Sequence, residues 1–169
     1  VERSWVTKYA SAIQQTVRQA KQVPALINYS FAGKPCKKIP DAFDIELIEK
    51  IEQISIIYSF PVDEIPNGHN TEQPKKSHGI THVHHFYTKR NLLALSALHQ
   101  RVSATKSKAL INLHDNMLTR CSRQSSLHIS NFFHGGGGVC KGHLTGTLYI
   151  PSLSPEIPTL KVFADQLKT

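Results

Sequence analysis

The chain has 169 residues, 40% of them apolar, with 20 Lys and Arg against 12 Asp and Glu and a formal charge of +8. That is enough apolar material for one packed core, which excludes disorder throughout. Apolar runs such as Ile56–Tyr58 fall far short of the roughly 20 residues needed to cross a bilayer, so no membrane partner is expected.

Three widely spaced cysteines, an odd number, point to reduced thiols and a cytoplasmic setting. Val1-Glu2-Arg3-Ser4 opens no signal peptide, and the lack of an initiator Met points to an excised segment. The expected organisation over 1–169 is a single domain or fragment.

In chain order, residues 4–21 predict a helix, because Trp5, Tyr9, Ile13 and Val17 recur every four residues and Ser4 can cap the first turn. Pro24 ends it. Ala25 to Phe31 reads as a strand, turned by Ala32-Gly33-Lys34 into a return strand before Pro40, hence a hairpin. Asp41 can cap the next helix, with Asp44 placed where the helix dipole favours negative charge. Leu47, Ile48, Ile51 and Ile54 form its expected inward stripe, and Glu46, Glu49 and Glu52 its wet face. Residues 56–60 predict a strand closed by Pro61. Residues 66–77 are nearly devoid of apolar side chains and predict a mobile surface loop.

A further helix is expected from Thr88, its cap, to about Val102, with Leu92, Leu95, His99 and Val102 along one face. Residues 107–119 fit either a helix or a buried strand. Residues 126–133 alternate like a strand, a glycine-rich loop follows over 134–142, and 146–150 reads as a partner strand. A last helix is expected over 158–168, with Leu160, Val162, Phe163 and Leu167 inward. The sum is a mixed α/β fold of about four to five helices with several short strands. Helices alternating with single strands would suit part of a doubly wound core.

Charge is unevenly distributed. Residues 41–72 hold eight acids and one base, a local −7, while residues 73–155 hold ten bases and one acid, a local +9. A basic face of this kind suits a polyanion.

Three clusters could carry chemistry. His78-Gly79-Ile80-Thr81-His82-Val83-His84-His85 would, as an extended strand, put His82 and His84 on one face, as a zinc site requires. Cys36, Cys121 and Cys140 lie in no ligand pair, so histidines that line a polar cleft or are satisfied locally fit better, and no metal is expected. Gly135, Gly136, Gly137 and Gly138 free the backbone to approach a phosphate or to flex, but Val139-Cys140 follows in place of the P-loop ending. Phe86-Tyr87-Thr88-Lys89-Arg90-Asn91 sets two cations, an amide and a hydroxyl at a helix N-terminus, where free N–H groups already favour anions. Neither a thiol-hydrolase grammar nor a Gly-x-Ser-x-Gly elbow occurs, so hydrolysis is not expected.

Several runs together resemble a known family. They are Pro24-Ala25-Leu26-Ile27-Asn28-Tyr29, Lys38-x-Pro40-Asp41-x-Phe43-Asp44 and Phe60-Pro61, then Gly79 through Leu92, then Gly135–Gly138 followed by Leu144 through Ser152. Over residues 22–167 the chain resembles the central region of bacterial N6-adenine/N4-cytosine DNA methyltransferases of restriction-modification type. The Phe-Tyr-Thr-x-Arg-Asn-Leu block is the most specific element. The resemblance implies a parent that transfers a methyl group from S-adenosylmethionine to a base taken out of the DNA stack. The family's Asp/Asn-Pro-Pro-Phe/Tyr motif and its glycine-bearing cofactor motif are missing from the sequence, and Cys121-Ser122-Arg123-Gln124 stands where relatives tend to show Ser-Lys-Met-Asn. No catalytic residue carries over, and S-adenosylmethionine is expected to bind the parent rather than this chain.

The expected role is therefore to help bind DNA or to scaffold the parent, with the remaining domains as partners. The alternative is a protein-interaction module without direct DNA contact. Lys89, Arg90, Arg120 and Arg123 are the expected phosphate contacts, and Asn91, His84 and His85 the expected contacts to base edges or backbone.

Overall fold

The structure is a computed structural model that describes residues 3–104, 108, 112, 115, 119, 121–122, 125–127, 148, 150 and 154–167. Among these residues the chain is mixed α/β, with four helices and two separate two-stranded antiparallel sheets.

Residues 5–20 form no helix. They make a hairpin of β1 (Trp5–Ala10) and β2 (Gln15–Ala20), in register from Trp5 opposite Ala20 to Ala10 opposite Gln15. The four-residue recurrence misleads because Ile13 falls in the turn, where Gln14 takes a left-handed φ of 53°. The flanks are rich in β-branched and aromatic side chains (Trp5, Val6, Thr7, Tyr9, Thr16, Val17), which suit a pleated surface. Arg18, diagonal to Trp5, lays its guanidinium 4.9 Å from the indole centroid.

The second expected hairpin is present as β3 (Ile27–Phe31) and β4 (Lys34–Lys38). Its two-residue turn has positive φ at both Ala32 (49°) and Gly33 (76°), the geometry that matches strand twist. Lys38 at its end reaches Asp41 and Asp44, at 3.2 and 2.6 Å, and so ties the hairpin to the next helix.

That helix, α1 (Ala42–Gln53), starts as expected at Asp41. Asp41 Oδ1 accepts the Asp44 N–H at 3.1 Å, and Asp44 Oδ2 accepts the Asp41 N–H at 3.0 Å, a reciprocal capping box. The inward stripe is where expectation and structure part. No residue of α1 is buried, and Leu47, Ile48 and Ile54 stay exposed. Residues 56–60 run without a strand partner.

The loop expected over 66–77 is instead largely α2 (His69–His78). Its support is polar rather than apolar. Thr71 Oγ1 donates to the Pro66 and Gly68 carbonyls, Lys75 reaches the Ile65 carbonyl and Asn67 Oδ1, and Lys76 pairs with Glu72. Thr71 and Pro74 are its buried side chains. Gly79 closes it with a left-handed φ of 68°.

A short 3₁₀ turn, Val83–Phe86, leads to α3 (Lys89–Ser103), which Thr88 caps as expected by accepting the Asn91 N–H. Leu92 and Leu95 are buried on it, but His99 is exposed. Lys108, Asn112, Asp115, Thr119, Cys121 and Ser122 are helical, and the rest of 107–119 lies outside the described residues. The last helix, α4 (Thr159–Gln166), buries Val162, while Leu160 and Leu167 point into solvent.

Two apolar clusters form the core. One gathers Ile65, Ile80, Phe86, Leu127 and Ile150; the other gathers Leu95, Cys121 and Val162, and Tyr87 packs against both. Most of the strand pair expected over 126–133 and 146–150, the Gly135–Gly138 loop, Cys140, Arg120 and Arg123 lie outside the described residues.

Candidate functional site

The segment 78–91, singled out by its histidines and its cationic helix start, is brought together by the fold, but its side chains take different roles from those expected.

Asn91 is 1% exposed. Its Nδ2 donates to the carbonyls of Ser125 (3.1 Å) and Ile157 (3.0 Å), and its Oδ1 accepts the Thr159 N–H at 3.1 Å. Pro158 offers α4 no side-chain cap, so Asn91 supplies from a distance the acceptor that the first N–H of α4 lacks. With both amide protons committed and the side chain buried, this amide is not presented to a base edge.

Arg90 is half-exposed and paired with Glu156, at 3.0 Å from Nη2 and 3.2 Å from Nε. Thr88 Oγ1 donates to the same carboxylate oxygen at 2.7 Å. The anion that the start of α3 was expected to hold is thus the chain's own Glu156. Lys89 is half-buried and makes no ion pair among the described residues.

The histidines are packed, not displayed. The 3₁₀ turn replaces the extended strand, so His82 and His84 do not line one strand face. The rings of His82, His84 and His85 form a closed trio, with centroids 5.7 Å (82–84), 5.2 Å (82–85) and 4.4 Å (84–85) apart, and Phe60 covers His84 at 5.5 Å. His84 and His85 are each 8% exposed. The Thr81 N–H donates to His85 Nδ1 at 3.3 Å, which assigns the ring proton to Nε2. That Nε2 is buried without an acceptor. His84 hydrogen-bonds to the Pro61 carbonyl, and its Nδ1 is buried without a donor.

Burial, the His82 ring and the Lys8 ammonium all oppose protonation here. His84 is pushed down to about 4, and His85, which also faces His84, to about 3. His78, half-buried and near Arg3, is lowered as well. Among the described residues, no group of three or more His, Cys, Asp or Glu side chains is placed to hold a metal ion.

Beside the trio, Thr81 and His82 face an open polar cleft of about 270 Å³, whose other walls are residues 15–18 of β2, Glu64 and Gly79. Thr81 Oγ1 lies 2.9 Å from His82 Nδ1. Gly79 is obligatory, because a Cβ there would come within 2.0 Å of the Arg18 carbonyl oxygen. Sequence reasoning missed Lys8 and β2 as parts of this site and named Gly79 only as a member of the histidine run. Only Gly79 left a trace, as the glycine that follows a polar run. Cys121 is fully buried and burial pushes its thiol up, which makes it inert.

A scan against known protein families, a search of curated proteins and a search of solved structures find no match to the chain.

Proposed function

We propose that the chain is a non-catalytic segment of a DNA methyltransferase, and that it scaffolds the parent enzyme through a docking face on residues 18–64. The methyltransferase assignment rests on the sequence resemblance, and the observation that carries the docking face is the burial pattern. No residue from 18 to 64 is buried, although the stretch contains a regular hairpin and a capped helix. Twelve of the sixteen large apolar side chains that stay exposed among the described residues lie between Val23 and Val62. Scattered exposed apolar residues are ordinary, but a continuous face of them marks a contact site.

The occupant is the remainder of the parent, presenting an apolar surface with a basic rim. Its chemistry follows from the −7 balance of residues 41–72, where Glu49 and Glu52 border the stripe of α1. Covering a half-exposed aliphatic side chain yields roughly 1 kcal/mol, so four of them on α1 would supply a useful part of a stable contact.

The glycine motif that S-adenosylmethionine would require is missing from the sequence, so this reading assigns the cofactor and methyl transfer to the parent.

A second role, DNA contact, is favoured by the hairpins. Residues 1–38 hold seven bases and one acid. Lys8, Lys21, Lys34 and Lys37 make no ion pair among the described residues. Two-stranded ribbons fit a DNA groove and lysines hold phosphates, so this surface, with Lys89, replaces Asn91, His84 and His85 as the contact.

Hydrogen exchange on the chain alone and within the parent tests the scaffold. Amides of 23–62 are expected to gain protection in the parent, and unchanged exchange there would remove the docking face. Fluorescence anisotropy with a DNA duplex at two salt concentrations tests the second role. Binding that is absent at low salt, or indifferent to salt, would remove it.

A further inference from the structure

We propose that the His82–His84–His85 cluster is an acid-operated latch, which holds the β1–β2 hairpin against residues 79–86 at neutral pH and releases it when the cluster takes up protons.

The hairpin has little else to hold it. Val17 is its one buried residue; the Arg18–Gln19 backbone lies against Gly79, β2 neighbours α2, and residues 15–18 share a cleft with Thr81 and His82. Register places Val17 opposite Lys8, on the strand face away from the Trp5–Arg18 stack. Lys8 is also the hairpin charge that acts on both His84 and His85. The seam therefore sets the β2 backbone at Arg18 and Gln19, and the Lys8 charge of β1, against the turn that carries the buried imidazole pair.

Protonation works against that seam on three counts. A second proton on His84 would sit on Nδ1, which is buried with no acceptor near it. A second proton on His85 would sit on Nδ1, where the Thr81 N–H now donates. Two cations 4.4 Å apart between ring centres would also face Lys8 from β1 and His82 from their own turn. Glu64 is bridged to His82 across an isolated antiparallel pair and lines the cleft with it. The charged groups that act on His84 and His85 include no carboxylate. Expelling the turn relieves all three conflicts and removes the surface against which β2 rests.

Amide exchange, corrected for the intrinsic effect of pH, tests the latch on the intact chain. From pH 7 to about pH 5 the opening constant of the β1–β2 amides is expected to rise about 20-fold for each histidine exposed by opening. The amides of α3 should rise less. A His84→Phe/His85→Phe variant is expected to lose the rise. If hairpin and α3 protection fall together, or the rise persists in the variant, the latch is refuted. Should the variant fail to fold, ring NMR of the wild-type chain decides. Of its ten histidines, two are expected to stay neutral below pH 6 and to titrate as hairpin protection is lost. Ordinary titration of every ring near pH 6.5 overturns the proposal.

Discussion

Replacing Asn91 separates a structural amide from a base-reading one. Asn91→Ala removes three hydrogen bonds of 3.0–3.1 Å at a site 1% exposed. Each is worth about 1 kcal/mol net, and leaving its buried partners unpaired adds to that, so a loss of about 3–4 kcal/mol is expected. Against a typical domain stability of roughly 5–15 kcal/mol that is a large fraction. Asn91→Asp should be at least as harmful at neutral pH. It keeps the acceptor for the Thr159 N–H but turns a second oxygen toward the carbonyls of Ser125 and Ile157. Urea unfolding followed by circular dichroism measures the loss, and DNA anisotropy on the folded fraction supplies the contrast. A midpoint shift equivalent to less than about 0.5 kcal/mol, the range of surface substitutions, with a tenfold loss of DNA affinity, would refute the structural assignment.

Stability should fall as the solution is acidified. The folded pKa values of about 4 for His84 and about 3 for His85 lie below the unfolded value of 6.5, so the unfolded chain binds more protons in that window. The loss begins near pH 6.5 and reaches about 2 kcal/mol per histidine by about pH 5, which urea midpoints across that range would register. Gly79→Ala should detach β2, because its Cβ would meet the Arg18 carbonyl oxygen at 2.0 Å; a shift in Trp5 fluorescence with α3 intact is the expected signature. Arg90→Ala should cost no more than about 1 kcal/mol, since its pairing with Glu156 is half-exposed, and a larger loss in thermal unfolding would contradict that geometry. Leu47→Glu with Ile48→Glu should leave the stability of the isolated chain nearly unchanged and reduce its binding of an apolar dye, as both side chains are exposed.

Local chemistry made part of the fold legible in the sequence. The β3–β4 turn carries Gly33, α1 carries both members of its capping box, and α3 begins at a threonine cap, so each boundary has a short-range cause. The β1–β2 hairpin was hidden because residues 5, 9 and 17 satisfy a helical period while lying on two strands. The helix α2 was hidden because it is held by Thr71, Lys75 and a buried Pro74 rather than by an apolar stripe. For the site, the sequence singled out residues 78–91, and tertiary packing decides how their polar groups are used. Asn91, His84 and His85 look like reaching polar groups until tertiary packing buries them, and Glu156, which answers Arg90, is remote in sequence. The exposure of α1 was equally invisible, since amphipathic spacing says which face is apolar and not what covers it.

Titration calorimetry between this chain and the remainder of the proposed parent enzyme tests the central claim most directly. Saturable association is expected, and it should be lost in the Leu47→Glu/Ile48→Glu variant while the fold is kept. No association, or association indifferent to that pair of substitutions, would contradict a docking face on residues 18–64.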